Sequence, residues 1–288
     1  MTKKLAIILV VLGALLMSLN GILIKLIEDA DGFQILFYRS LTLSLTVGLV
    51  ISIKRNERFL NFIKSFDKWD FLLGIFLSVA FIFYVFSIIL SSVAATLFIL
   101  ASSPLIAALL SWLILKEVTN KITYFAMLLS TIGVAIMVKE SFETSKAIGN
   151  FLALLSACAF ASMLVTARKS GKADVLNGTF IGGVLSGVFG LFFLIVSDTG
   201  LYVGFQDLVL MFVMGSVAIG LGISLVTWAA PFVPAPEVAV LVLLESLLGP
   251  LWVWILLKDG MTFYELLGGL LIFLAVIILS YASSKEPA

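Results

Sequence analysis

Histidine is absent from the 288 residues, and the one cysteine, Cys158, lies inside an apolar run. Without imidazole the chain lacks the usual metal ligand and proton relay, and a lone thiol cannot close an intramolecular disulfide. No metal and no cofactor is expected. Charge is scarce as well: 18 Lys and Arg stand against 17 Asp and Glu, a net charge of +1. No soluble segment is large enough to carry the basic stripe of a nucleic-acid binder, so no nucleic-acid partner is expected. No G-x-x-x-x-G-K-[ST] loop is present to hold a nucleotide. An intramembrane enzyme would need a nucleophile with a base, two close carboxylates or metal ligands. With no histidine and one mid-span carboxylate none assembles, and the chain reads as a non-enzyme.

What the sequence has in excess is apolar surface. Its hydrophobic share is 62%, with a mean hydropathy of +1.22, where soluble globular proteins sit near about 45–50% apolar. The charges fall between apolar runs of about 20 residues, each long enough to cross a hydrocarbon core of roughly 30 Å as a helix. Backbone groups in lipid must be satisfied within each run, which predicts an all-α membrane protein with ten transmembrane helices. The expected spans are 5–27, 33–53, 71–90, 93–115, 122–138, 149–168, 179–197, 208–229, 236–257 and 262–281. The third and fourth are divided only at Ser91 and Ser92, because the run from Phe71 to Leu115 is too long for one helix. The first follows Lys3 and Lys4 but runs on without a small-residue cleavage site, so it reads as helix one and not as a signal peptide.

With the N-terminus inside, the cytoplasmic segments hold thirteen Lys and Arg, and the opposite face keeps four, Lys25, Lys139, Lys146 and Lys258. The positive-inside rule then puts both termini in the cytoplasm and the chain in a cell's inner (plasma) membrane. The cluster from Lys54 to Lys68 reads as a solvated cytoplasmic loop attracted to anionic lipid.

The chain also matches itself at an offset of 142 residues, where Ser111–Glu117 (SWLILKE) lies over Val253–Asp259 (VWILLKD). Trp, Lys and acid coincide in both copies. At the same offset Ala126 meets Gly268 and Gly133 meets Ala275, small residues that let helices approach closely. Each half therefore holds five spans, 1–140 and 147–283. An odd number of crossings makes the second copy enter the membrane upside down, the inverted-repeat logic of secondary transporters. The charges agree: five Lys or Arg join helices two and three, and none lies between Asp198 and Asp207 in the counterpart connection.

The stretch from Phe86 to Glu117, FSIILSSVAATLFILASSPLIAALLSWLILKE, and its second copy from Pro234 to Asp259, PAPEVAVLVLLESLLGPLWVWILLKD, resemble the helix-four and helix-nine signatures of the drug/metabolite transporter superfamily, specifically its EamA-type ten-helix members. Phe37-Tyr38-Arg39 is similar to the arginine-bearing segment of helix two in that family. The resemblance implies an inner-membrane carrier of small metabolites, often amino acids, working by alternating access around a central cavity. Two positions depart from the pattern: Glu245 is followed by Ser246, with the proline delayed to Pro250, and Asp259 replaces the closing Glu.

Ionisable side chains inside spans are the most informative, since each costs about 2.5–3.5 kcal/mol at the bilayer centre on an insertion scale. Glu245 sits near the middle of helix nine, and Arg39 lies roughly 6 Å outward of the middle of helix two at about 1.5 Å per residue. On one reading Glu245 receives a cationic group or a coupling proton while Arg39 holds a carboxylate by its planar fork of donors, which suits a zwitterion. On the other, the two form a structural ion pair, or each is satisfied by backbone carbonyls, hydroxyls and water near helix breaks. Helix breaks are a second clue: Ser102, Ser103 and Pro104 in helix four, and Gly249 and Pro250 in helix nine, either expose backbone to a cavity or serve as packing kinks. Glu245, Gly249 and Trp252 share a helical face. Tyr38, Tyr84 and Trp228 pair a ring with a polar atom that needs a partner when buried, although Trp228 equally suits a membrane-interface belt. Asn20 bonds either a ligand or a neighbouring helix. Cys158 and the pair Gly183 and Gly187 read as packing residues. The expected partners are a small-molecule substrate and the lipid bilayer, with the chain a monomer or weak homodimer. A secondary carrier of a small zwitterion, such as an amino acid or related amine, is the leading reading; a monomeric channel or facilitative pore is the other.

Overall fold

A computed structural model of the chain describes residues 1–56, 62–116, 121–143, 146–172, 174–229, 232 and 235–283. They are built from α1 (Lys3–Ser18), α2 (Asn20–Lys25), α3 (Gly32–Arg55), α4 (Lys68–Leu90), α5 (Val93–Leu100), α6 (Ser103–Leu115), α7 (Lys121–Glu143), α8 (Ala147–Ser170), α9 (Leu176–Val196), α10 (Phe205–Val213), a π-helical segment (Met214–Leu221), α11 (Gly222–Ala229), α12 (Ala235–Leu257) and α13 (Phe263–Ser283). Among the described residues seven rods are long and apolar enough to cross a membrane: Lys3–Lys25, Gly32–Arg55, Lys68–Leu90, Val93–Leu115, Ala147–Ser170, Leu176–Val196 and Phe205–Ala229. Shorter apolar stretches follow at Leu244–Leu257 and Phe263–Ile278.

The helices start where side chains can satisfy their orphan amides. At α3 the Asp31 carboxylate accepts from the amides of Phe33 and Gln34 at 2.8 Å each, and Gln34 Oε1 accepts from the Asp31 amide at 2.9 Å. Asp67 and Asp70 make the same reciprocal box at the start of α4. Such caps contribute about 1 kcal/mol apiece. Gly171, at φ +70, closes α8 in the left-handed region where a side chain would be strained.

Breaks fall at or beside polar residues. Leu19 separates α1 from α2, and Ser91 and Ser92 divide α4 from α5 as the run length predicts. Helix four is interrupted at Ala101 and Ser102, beside the expected Ser-Ser-Pro. Helix nine is not interrupted: α12 runs through Gly249 and Pro250 to Leu257. This corrects the expected break there, because one missing proline amide forfeits a single ladder bond and neighbouring turns carry the helix on. The π segment at Met214–Leu221 has no counterpart among the sequence expectations.

Packing runs across the two halves. α4 lies against α8 and α9, α3 against α9 and the π segment, and α12 against α1, α2 and α5. α7 and α13, the last helix of each half, pack together. At the repeat-matched position Gly133 a methyl would lie 2.7 Å from the Gly268 carbonyl oxygen, so only glycine allows that approach. Ala126 and Ala275 are fully buried in the same cluster.

Candidate functional site

The residues that could act chemically are carried by α2, α3, α4 and α12. Arg39 is 0% exposed and lies on α3. Its guanidinium carbon sits 5.3 Å from the centroid of the Phe81 ring on α4, the geometry of a cation–π contact. None of its three side-chain nitrogens has a hydrogen-bond partner among the described residues. One helical turn beyond Phe81, Tyr84 is buried with its hydroxyl also unpartnered, and the Asn20 Oδ1 on α2 is a third buried, unpartnered atom. Tyr84 and Asn20 face each other without reaching hydrogen-bond geometry. The Tyr84 phenol lies within electrostatic range of both Arg39 and Glu245, the latter half-buried on α12.

No ion pair joins Arg39 to Glu245 among the described residues, which removes the structural-pair reading. At about 1.5 Å per residue, Arg39 lies roughly 11 Å from the start of α3, Tyr84 and Asn20 roughly 8–9 Å from the ends of α4 and α2, and Glu245 roughly 18 Å from the end of α12. A guanidinium and a carboxyl group thus lie at different depths, both within electrostatic range of the Tyr84 phenol. Leaving a buried polar atom unpaired costs about 1–3 kcal/mol, and a buried charge more. Several such atoms in one place mark a site whose polar groups are completed by something other than this fold.

Arg39 is fixed from its backbone side. A methyl on Gly215, in the π segment, would overlap the Arg39 carbonyl and the Thr42 hydroxyl, so the wide turn of that helix presses directly on the arginine's backbone. Single-turn π insertions recur at functional sites.

The other expected site residues are used elsewhere. Tyr38 donates to the Leu201 carbonyl at 2.6 Å, tying α3 to the loop before α10. Ser102 donates to the Ile99 carbonyl at 2.6 Å and Ser103 to that of Leu100, so both hydroxyls satisfy the helix break itself. Gly249 packs against Leu97 and the Ser18 carbonyl. Trp252 Nε1 donates to Ser18 Oγ at 2.9 Å. These contacts place the Gly249 and Trp252 side of α12 on the first helix. Trp228 is 40% exposed, and among the described residues no hydrogen bond or ring contact joins it to the Arg39 group.

Three carboxylates that sequence reasoning passed over, Asp70, Asp207 and Glu265, are buried at helix starts. Asp70, 0% exposed, accepts from Lys172 Nζ at 2.7 Å and from Asn177 Nδ2 at 3.2 Å. Asp207, 3% exposed, accepts from the amides of Glu28, Asp29 and Ala30 at 3.3, 3.0 and 2.9 Å. The D-x-x-D capping pattern at Asp67 was a visible signal for the first; Asp207 follows a glycine cap and gave none. Phe81 carried no signal beyond sharing a helical face with Tyr84.

Apolar rods on this scale, enclosing a buried polar centre with two separated charges, define a multi-pass helical membrane protein. Its sequence matches the model of the EamA-like transporter family twice, over residues 4–139 and 147–281. The chain belongs to that family, whose two-repeat architecture and role in moving small solutes across membranes it shares. A search of curated proteins finds no match. A solved structure described as "Crystal structure of protein" is 14% identical, covers 99% of this chain and 100% of its own, and superposes with a TM-score of 0.66, which shows a common fold.

Proposed function

We propose that the protein is a secondary active transporter that carries a small zwitterionic metabolite, an amino acid or related amine, across the inner membrane by alternating access. In this reading ten helices form two inverted five-helix repeats, 1–140 and 147–283, with both termini cytoplasmic. The observation that carries it is the fully buried Arg39 without a hydrogen-bond partner among the described residues, with the Tyr84 phenol in electrostatic range of it and of Glu245. Arg39 receives the substrate carboxylate on the guanidinium edges that Phe81 leaves free. Asn20 Oδ1 and the Glu245 carboxylate are acceptors for an ammonium group, and Tyr84 serves either end. In the absence of substrate, Glu245 is the group placed to take a coupling proton.

The test is a thermal-shift scan of the purified protein against neutral amino acids, their decarboxylated amines and the matching carboxylates that lack the amino group. A ligand near a hundred times its Kd contributes about 2.7 kcal/mol, a shift of several degrees for a chain of this size. Stabilisation is expected from the amino acids alone, lost in Arg39→Lys and Glu245→Gln. Equal stabilisation by either half-molecule would sink the two-pole site. In proteoliposomes saturable, stereoselective flux is expected from wild type and none from Glu245→Gln, whereas an unsaturating conductance would make the protein a channel.

A further inference from the structure

Asp70 and Asp207 occupy the same place in the two halves. Each is the third residue of its helix, α4 after the Asp67 cap and α10 after Gly204, and each helix is the third span of its repeat. Each carboxylate reaches across the repeat boundary to the connection between the first and second spans of the other half. Asp70 grips Lys172 and Asn177, at the α8–α9 connection. Asp207 grips the amides of 28–30, between α2 and α3. In the threading of the spans the first contact lies at the cytoplasmic face and the second at the outer face.

These grips close over the elements that hold the site. α4 bears Asp70 at its inner end and Phe81 and Tyr84 farther along. The Asp207 grip falls between Asn20 and Arg39 in the chain. Where two copies of one fold lie inverted in a bilayer, devices related by the inversion do the same work on opposite faces. With both contacts made, Arg39 is fully buried.

We propose that Asp70 and Asp207 are a pair of latches that seal the central site, one toward the cytoplasm and one toward the outside, and that each releases while the other holds. The inference rests on the carrier reading. It assigns the two acids a gating role, distinct from binding, and predicts that the structure described here is the occluded state.

The experiment locks each latch without touching its carboxylate. On a Cys158→Ala background, Asp67→Cys with Lys172→Cys spans the inner latch, whose side chains meet at 3.1 Å. Asp29→Cys with Gly204→Cys spans the outer one, where a Gly204 methyl would lie 3.9 Å from Asp29 Oδ2. A bifunctional methanethiosulfonate closes each pair and dithiothreitol reopens it. The readout is labelling of Tyr84→Cys by a membrane-impermeant maleimide in right-side-out and inverted vesicles, with the engineered latch pairs already cross-linked. Locking the inner latch is expected to cut labelling from the cytoplasmic side at least tenfold and spare labelling from outside; locking the outer latch does the reverse. Labelling unchanged by either lock, in protein that stays monodisperse, would overturn the proposal and make the contacts static struts. Absence of saturable flux from the wild-type protein would tell against the carrier reading instead, because the labelling pattern needs no substrate.

Discussion

The two faces of the protein fasten the same joint with different chemistry. At the joint proposed to face the cytoplasm, the inner one, Asp70 is met by an ammonium, Lys172, which also lies 3.1 Å from Asp67, and nearby Lys54 pairs with Asp174 at 2.7 Å. At the joint proposed to face outward the corresponding acid, Asp207, is met by three backbone amides. Neighbouring contacts there use main-chain groups too, with Gln34 donating to the carbonyls of Gly200 and Tyr202 and Tyr38 to that of Leu201. The difference follows from topology. The segment that meets Asp70 carries Arg168, Lys169 and Lys172, so that copy of the duplicated joint finds a cation within reach. The segment from Asp198 to Asp207 has no Lys or Arg, and its acid draws on amides exposed where α2 ends. One ancestral geometry is served by an ion pair on one side and by an anion nest on the other.

The comparison breaks first at the acids. Asp70→Ala strands Lys172, the Asn177 side-chain amide and the Asp67 N–H, but the ammonium is partly exposed and recovers water and the Asn177 and Asp67 bonds are long, so the loss is softened. Asp207→Ala orphans three amides at once, and none of them has a side chain to turn elsewhere. The outer substitution is therefore expected to be the more damaging, costing about 3 kcal/mol at one to two for the amides and their charge-assisted bonds together, against about 2 kcal/mol inside. Melting temperatures of the two variants in detergent check the order. A larger loss for Asp70→Ala would mean that the ion pair outweighs the nest.

That asymmetry also explains what sequence made legible. Apolar run length separated α4 from α5 at Ser91 and Ser92, and the Trp-Lys-acid register located the duplication, because lipid imposes both patterns on every span. Arg39, Tyr84, Asn20 and Glu245 were each readable as interior-facing candidates for the same reason: a polar atom placed inside an apolar run must face the interior. Tyr38, Ser102, Ser103, Gly249 and Trp252 were also polar or small and inside spans, yet each is used by a helix break, a loop or a neighbouring helix. Composition cannot tell a satisfied hydroxyl from an unsatisfied one; only the partner's position does. The π segment was invisible because Met214–Leu221 is an ordinary apolar helical sequence, and what widens it is the demand that Gly215 fit against the Arg39 backbone.

A finer cut is Lys172→Met, which keeps the stem of the side chain and removes its charge. Asp70 retains Asn177 and the Asp67 amide, at 3.2 Å each, so the expected loss is about 1 kcal/mol, read as a shift of a few degrees in melting temperature. Raising salt from 0.05 to about 0.5 M should narrow the gap between wild type and this variant, since the ammonium is partly exposed and screened. The Asp207→Asn variant is expected to keep its gap from wild type over the same range. A gap that closes equally for both would erase the distinction between ion pair and nest.

The smallest effect expected is in pH, and its sign is fixed by the inner joint. The Asp70 amide, with Lys172 beside it, holds the Asp67 carboxyl below its usual range. Partial burial pulls Lys172 down, but the facing carboxylates Asp70 and Asp67 outweigh it and keep the ammonium above its ordinary value. A carboxyl with a depressed folded pKa stabilises at pH above its unfolded value and loses that contribution as pH falls through the folded one. A lysine with a raised folded pKa stabilises below its unfolded value and loses it as pH rises through the folded one. Both losses fall outside the interval from about pH 5 to pH 9, between the ordinary ranges of the two groups. The melting-temperature difference between wild type and Lys172→Met should therefore be flat across that interval and shrink at either extreme. A difference that moved by several degrees between pH 6 and 8 would mean that the inner joint is governed by some group other than Asp67, Asp70 and Lys172.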